Sequence, residues 1–453
     1  SSTSRGLGDV YKRQTYNILN MKKIINLSLG IWMTFSVIAQ VPVPAPSQNQ
    51  PILLVGGVAH IGNGEVIQNS LIGFDKGKII LVNESSNNVT DSSGFKVIDI
   101  TGKHVYPGFI LPNSQIGLQE VSSIRAMSDM DERGEINPNV RSVISYNTDS
   151  EFIPTFRFNG ILVAETTPVG GRISGTSSVM ELEGWNWEDA AHTVDIGIHM
   201  NWPSKMNRKF DYSTYTAKME PNIKYDESIA TLKELFEDAL GYGATPDPSI
   251  NLKLAALQGL FNGDLILFIH AGTSKEIIES ILFAKDIGVQ KMVLISGSAL
   301  LNVAGFLKEH HIGVIIPPTH SMPSRVDEDV YGPYKLPAQL FEAGLTVSLS
   351  HRGMLAHGRN LPFFAGTAAA YGLDKEEALK MITSNTAKLL GIDDRLGSLT
   401  VGKDATLFVS EGDALDFRTN ILSHAFISGK QVTLDNKQQE LYQRFSKKYG
   451  HKD

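Results

Sequence analysis

Val105-Tyr106-Pro107-Gly108-Phe109-Ile110-Leu111-Pro112-Asn113-Ser114-Gln115-Ile116-Gly117 is the stretch whose reading decides the fold. Pro fixes φ and Gly tolerates positive φ, so Tyr106-Pro107-Gly108 predicts a turn. Phe109-Ile110-Leu111 then predicts a short strand buried on both faces. Polar Asn113, Ser114 and Gln115 follow at once. A buried strand that delivers polar side chains at its carboxyl end is how barrel enzymes place chemistry. On an extended chain Asn113 and Gln115, two apart, point the same way.

Downstream, strand and helix alternate. Leu265–His270, Lys291–Ser296, Val314–Ile316 and Thr346–Ser350 read as buried strands. Their helices are expected at 275–286 (capped by Ser274), 300–310, 336–343, and 365–371 with 375–390. Ile161–Ala164 is a further strand, leading into the Gly- and hydroxyl-rich stretch 166–178, read as a loop. Helical spacing also marks 226–240 and 251–261. Four consecutive strand–loop–helix units argue for a parallel sheet, and their regular spacing for a barrel.

The flanks are β-rich. Ile52–Val55, Ser70–Phe74, Lys78–Val82 and Phe95–Ile100 predict strands, with Asp75-Lys76-Gly77 a hairpin turn. This set needs strands from elsewhere, and Leu396–Leu399, Ala405–Val409 and His424–Ile427 supply them. The expected fold class is α/β: a (β/α)8 TIM-type barrel, 105–395, inserted in a small composite β-sandwich domain, 52–104 and 396–436, with a terminal helix in 437–453. Before it come an upstream remnant (1–20), a signal peptide (21–39) and a Pro-rich linker (40–51). Location is therefore expected to be secreted or periplasmic, with no stable membrane span.

Composition bounds the chemistry. A net charge of −7 and a pI near 6.0 argue against a nucleic-acid surface. With no cysteine, disulfides, Cys-ligated zinc, iron–sulfur centres and thiol nucleophiles are excluded.

Several motifs together resemble the amidohydrolase superfamily, especially its imidazolonepropionase-like branch. Val105–Ile110 resembles the entry into its first barrel strand, and Asn385–Ile392 a late barrel helix. Leu396–Ala405 resembles the return to the composite β-domain, and Gly170–Ser178 a typical loop. The resemblance implies a hydrolase of carbon–nitrogen bonds that uses a zinc-type divalent ion to activate water. It also implies where the ligands should fall. A His-x-His pair falls on Asn113 and Gln115, a fifth-strand His on His270, a sixth-strand His on Ser296, and an eighth-strand Asp on or beside His351-Arg352. No lysine takes the place of a carbamylated one. Only His270 is a metal donor of the expected kind, since neutral amides are weak ligands for zinc.

Expected site residues are therefore His351, Arg352 and His320 in catalysis, Asn113, Gln115, Arg172 and Ser296 around substrate, and His270 for metal. Two functions stay open. One is a hydrolase with an altered site. The other is a catalytically silent relative that binds a small ligand or pairs, as a homo- or hetero-oligomer, with an active homologue.

Overall fold

β1 (Ile52–His60), β2 (Val66–Asp75) and β3 (Lys78–Glu84) form an antiparallel meander. Lys76 and Gly77, both at positive φ, make its second turn. The structure is a computed structural model and describes residues 43–85, 93–323 and 327–451. The expected remnant 1–20, signal peptide 21–39 and first linker residues lie outside these. The described fold falls in the unit Pro44–Asp453. There the Pro-rich stretch is docked: Ala45 N–H donates to Glu183, and Gln48 Oε1 accepts from Gly77 N–H.

β4 (Lys96–Asp99) and β5 (His104–Pro107) both run parallel to β1. From the far end of the chain, β16 (Leu407–Ser410) pairs with β5, then β17 (Leu422–Ile427) and β18 (Lys430–Gln431) follow. The result is one eight-stranded sheet from two distant segments. It closes over an apolar core that includes Leu54, Phe74, Val105, Leu407 and Phe426. Leu396–Leu399, expected as a strand, is a bend followed by irregular backbone, and the C-terminal helix spans Lys437–Tyr449.

The barrel sheet has the order β15-β14-β13-β12-β9-β8-β7-β6. Its strands are β6 (Phe109–Ser114), β7 (Ile161–Thr166), β8 (Ile173–Glu181), β9 (Ala191–Asn201), β12 (Ile266–His270), β13 (Met292–Ile295), β14 (Gly313–Ile316) and β15 (Val347–Leu349). Between β9 and β12 lie β10 (Met206–Asp211) and β11 (Thr216–Pro221), a separate two-stranded ribbon, and the helix Tyr225–Ala244.

Several expectations need correction. The stretch taken as a loop to Ser178 becomes the buried strand β8 from Ile173 on, and β8 runs antiparallel to both neighbours. The barrel is thus parallel everywhere except at β8. The helix expected over 375–390 is two, Lys375–Lys380 and Ser384–Leu389. The break between them closes the barrel. β6 and β15 stand at the two ends of the sheet, and Ile110 N–H donates to Ile382 O (2.9 Å) while Leu349 N–H donates to Met381 O (3.0 Å). An unbroken helix would have kept those carbonyls for itself. The run 251–261 is likewise two short helices, and the helix Ser274–Asp286 is capped by Thr273, in a capping box with Glu276, rather than by Ser274. Among the described residues no helix is long and apolar enough to cross a membrane.

Candidate functional site

Alternation along barrel strands stacks the interior in layers. Val163, Val179 and Phe268 belong to one buried apolar cluster. Two residues further toward the mouth on the same strands stand Glu165, Ser177 and His270, and β9 adds His199 two residues beyond Gly197. A polar layer therefore rests on an apolar one. Gly197 makes the packing possible: a Cβ there would meet Ile266 O at 2.3 Å and the Phe268 ring at 2.6 Å. His199 stacks on that same ring at 4.6 Å with an interplanar angle of 12°.

The polar layer is one continuous hydrogen-bonded chain. Arg352 Nη1 lies 3.4 Å from His270 Nδ1, His270 Nε2 lies 3.0 Å from His199 Nδ1, and His199 Nε2 lies 3.1 Å from Glu165 Oε1 and 3.0 Å from Ser177 Oγ. Ser177 Oγ–H donates to Glu165 Oε1 (2.7 Å), and Asn113 N–H donates to Glu165 Oε2 (2.7 Å). Glu165, Ser177 and His199 are wholly buried.

The donors fix the tautomers. A guanidinium only donates, so His270 Nδ1 accepts and its Nε2 carries the proton. That proton goes to His199 Nδ1, leaving His199 Nε2–H to donate to the carboxylate. For Glu165, burial pulls the carboxyl pKa up, but the bonds from His199, Asn113 N–H and Ser177 outweigh it and hold it below the usual value. Burial, then neighbouring His199 and Arg352, push the His270 pKa well below that of a free imidazole.

At Asn113 the strand is not extended. Its φ is +52°, and the β6–β7 register shifts between Leu111 and Ser114. Asn tolerates this left-handed conformation better than most residues. The kink turns its N–H onto Glu165, and the straight-strand argument for Asn113 and Gln115 fails. Both side chains are nonetheless buried, and among the described residues Asn113 Oδ1, Gln115 Nε2 and the neighbouring Thr167 Oγ1 have no hydrogen-bond partner.

The other expected site residues are engaged elsewhere. Ser296 Oγ–H donates to Ala271 O (2.6 Å). His320 Nε2 meets Thr367 Oγ1 at 2.7 Å, and His351 Nε2 meets Met354 O at 3.0 Å. Burial lowers the pKa of both rings. Arg172 lies 3.9 Å from Glu135, which also accepts its backbone N–H. Glu165, Ser177 and His199 escaped the sequence reading. A Glu closing the apolar run Ile161–Ala164 is the same signal that marks His270, and His199 hides in the alternation Ile196, Ile198, Met200.

A cleft of about 620 Å³ opens at the same end of the barrel, lined by Gly272 and Thr273 after β12, Gly297 and Ser298 after β13, and Pro317 and Pro318 after β14. Among the described residues no three His, Asp or Glu side chains are placed to hold a metal ion.

A barrel with polar groups at the carboxyl ends of its strands, joined to a second sheet drawn from both flanks, is an architecture that places chemistry at the barrel mouth. The amidohydrolase family model matches residues 161–435, and the chain belongs to that family. Among solved structures, an amidohydrolase from Thermotoga maritima MSB8 is 22% identical, covers 84% of this chain and 99% of its own, and superposes with a TM-score of 0.72. An adenosine deaminase from Xanthomonas campestris with bound zinc is 13% identical, covers 89% and 99%, and gives 0.51. At these identities the likeness is one of fold. No curated protein matches the chain in sequence.

Proposed function

We propose that this chain binds a small ligand carrying a carboxylate next to an amide, and that it does so without the metal-activated water of its family. One observation carries the reading: the Arg352–His270–His199–Glu165 chain commits the ring nitrogens that a cation would require. A divalent ion at His270 Nδ1 would displace or face a guanidinium, with like charges about 4 Å apart and no carboxylate free to offset them. Asn113 and Gln115 offer only neutral amide oxygens. The donor set does not fit the metal.

The same groups suit an organic ligand. Arg352 is exposed and offers a planar fork for a carboxylate. Asn113 Oδ1 and Gln115 Nε2, an acceptor and a donor, match the N–H and C=O of an amide. The cleft after β12, β13 and β14, which none of these residues lines, has room for a drug-sized body. A second reading rests on the same chain: with Glu165 and His199 fixing its tautomer, His270 Nδ1 becomes a general base once Arg352 turns to a ligand and releases it, which keeps a hydrolase of carbon–nitrogen bonds in view. The expected signal peptide supports export of the protein.

Calorimetric titration with a panel of N-acyl amino acids tests the binding reading. Binding is expected to fall at least tenfold in Arg352→Leu, and an unchanged affinity would remove Arg352 from the site. Elemental analysis after dialysis is expected to find no stoichiometric zinc, manganese or iron, in the wild type or in Asn113→His/Gln115→His. One equivalent of tightly held metal in either would overturn the metal-free reading. Release of free amino acid by the dialysed protein, lost in His270→Gln, would favour the hydrolase.

A further inference from the structure

The ribbon β10–β11 is paired with no other strand among the described residues, and all twelve of its residues are exposed. Its register pairs Met206 with Pro221, Arg208 with Met219 and Phe210 with Ala217, while Asn207, Lys209 and Asp211 pair with Glu220, Lys218 and Thr216. Directly opposed residues share a face. One face is therefore Met206, Phe210, Ala217, Met219 and Pro221 with a single Arg208, and the other is wholly polar. Strict alternation of this kind specifies a strand pair with one face covered. Among the described residues no strand pairs with it, and its apolar face stays exposed. Phe210 is 39% exposed and Met219 58%, and the tip adds Tyr212 and Tyr215, each more than three-quarters exposed.

An isolated two-stranded ribbon is marginal in water. This one is instead held at its base. Glu276 Oε1 accepts from Ser204 Oγ (3.1 Å) and Lys205 N–H (2.9 Å), and Asn222 closes the stem on Lys205 O and Ser204 O. A fixed stem under an uncovered amphipathic body is the form of a docking arm.

Charge selects the occupant. From Lys205 to Lys224 there are five basic and two acidic residues, in a chain of net charge −7. The segment 120–135, which follows β6, has five acidic and two basic residues, and Val121, Ile124 and Met127 are each about two-fifths exposed there. Both surfaces carry exposed apolar side chains, and their net charges are equal and opposite. Each is complementary to the other on a second copy, and a two-fold axis satisfies both at once. We propose that the chain forms a symmetric homodimer in which the ribbon of each copy lies on the segment 120–135 of the other.

Sedimentation equilibrium on the full chain at micromolar concentration is expected to give twice the monomer mass. Phe210→Ser/Met219→Ser should give monomer, with circular dichroism and unfolding temperature retained. If that variant unfolds early, the charge variants decide. Arg208→Glu/Lys209→Glu, which leaves the other apolar residues in place, should weaken the dimer at least tenfold. Adding Asp129→Lys/Glu132→Lys to it should restore most of the loss. A wild-type monomer throughout the range would overturn the proposal, as would a dimer indifferent to the ribbon or reversals that no acidic-segment change rescues. Co-sedimentation of a monomeric wild type with anionic vesicles would assign the ribbon to a lipid surface instead.

Discussion

The molecule contains two chains of the same connectivity, carboxylate to imidazole to imidazole. Inside the barrel, Glu165 meets His199 at 3.1 Å and His199 meets His270 at 3.0 Å. Between the small sheet and the barrel, Glu376 meets His60 at 2.7 Å and His60 meets His104 at 3.0 Å. Their surroundings differ. Glu165 is fully buried and receives bonds from Asn113 N–H, Ser177 and His199. Glu376 keeps one oxygen, Oε2, without a partner among the described residues, and its side chain is 17% exposed. The first chain ends on Arg352 at the barrel mouth. The second borders a void of only about 90 Å³, with His60 stacked on Tyr106 at 4.4 Å. Connectivity alone therefore does not make a site. What distinguishes the barrel chain is a saturated buried anion at one end and a ligand-accessible cation at the other.

The largest test removes the anions. Glu165→Ala strands three buried donors, and the expected loss is about 3–5 kcal/mol in urea-induced unfolding. Glu376→Ala leaves His60 part-exposed with its stacking on Tyr106 intact, and about 1 kcal/mol is expected. Equal losses would break the distinction between the two chains.

That distinction was half legible in the sequence. His270 announced itself because it ends an apolar run that reads as a buried strand. Arg352 did so by following the short run Thr346–Ser350. Ser177 and His199 did not, for two physical reasons, whereas Glu165 closes the apolar run Ile161–Ala164 and carried the same signal as His270. The inversion at β8 takes the Gly-rich stretch 170–178 out of the loop that its composition predicts, since burial between β7 and β9 overrides turn propensity. Without β8 as a strand, β9 had no partner to declare it, although Ile196, Ile198 and Met200 alternate correctly. The split at Met381-Ile382-Thr383 was equally hidden: the barrel seam, a tertiary demand, breaks a run whose periodicity favours one helix.

The second test is pH. In the folded protein His270 binds a proton well below 6.5, whereas unfolded it binds near that value. Below about pH 6.5 the unfolded state therefore takes up the proton and the folded state does not, so stability falls with pH. Glu165 acts further down. Its folded pKa is lowered from 4.5, so its contribution is complete above that value and is lost as pH drops through the folded one. His270→Gln should flatten the unfolding free energy between about pH 6.5 and 5 by up to about 1.4 kcal/mol per pH unit. An unaltered slope would mean that His270 titrates normally and that the tautomer chain is absent.

The smallest effect is expected at the end of the second chain. Burial, then neighbouring His60, lower the His104 pKa, so it contributes with the same sign as His270. The two differ in surroundings, because His270 is displaced well below the free value whereas His104 is only half-buried. His104→Gln keeps a side-chain amide within reach of His60 Nε2, and a change of about 0.5 kcal/mol or less is expected at neutral pH. Ligand affinity should not move at all, because His104 ends the second chain while Arg352 ends the first. If His104→Gln altered ligand binding as strongly as Arg352→Leu, the two chains would be one coupled system, and the barrel mouth alone would no longer define the site.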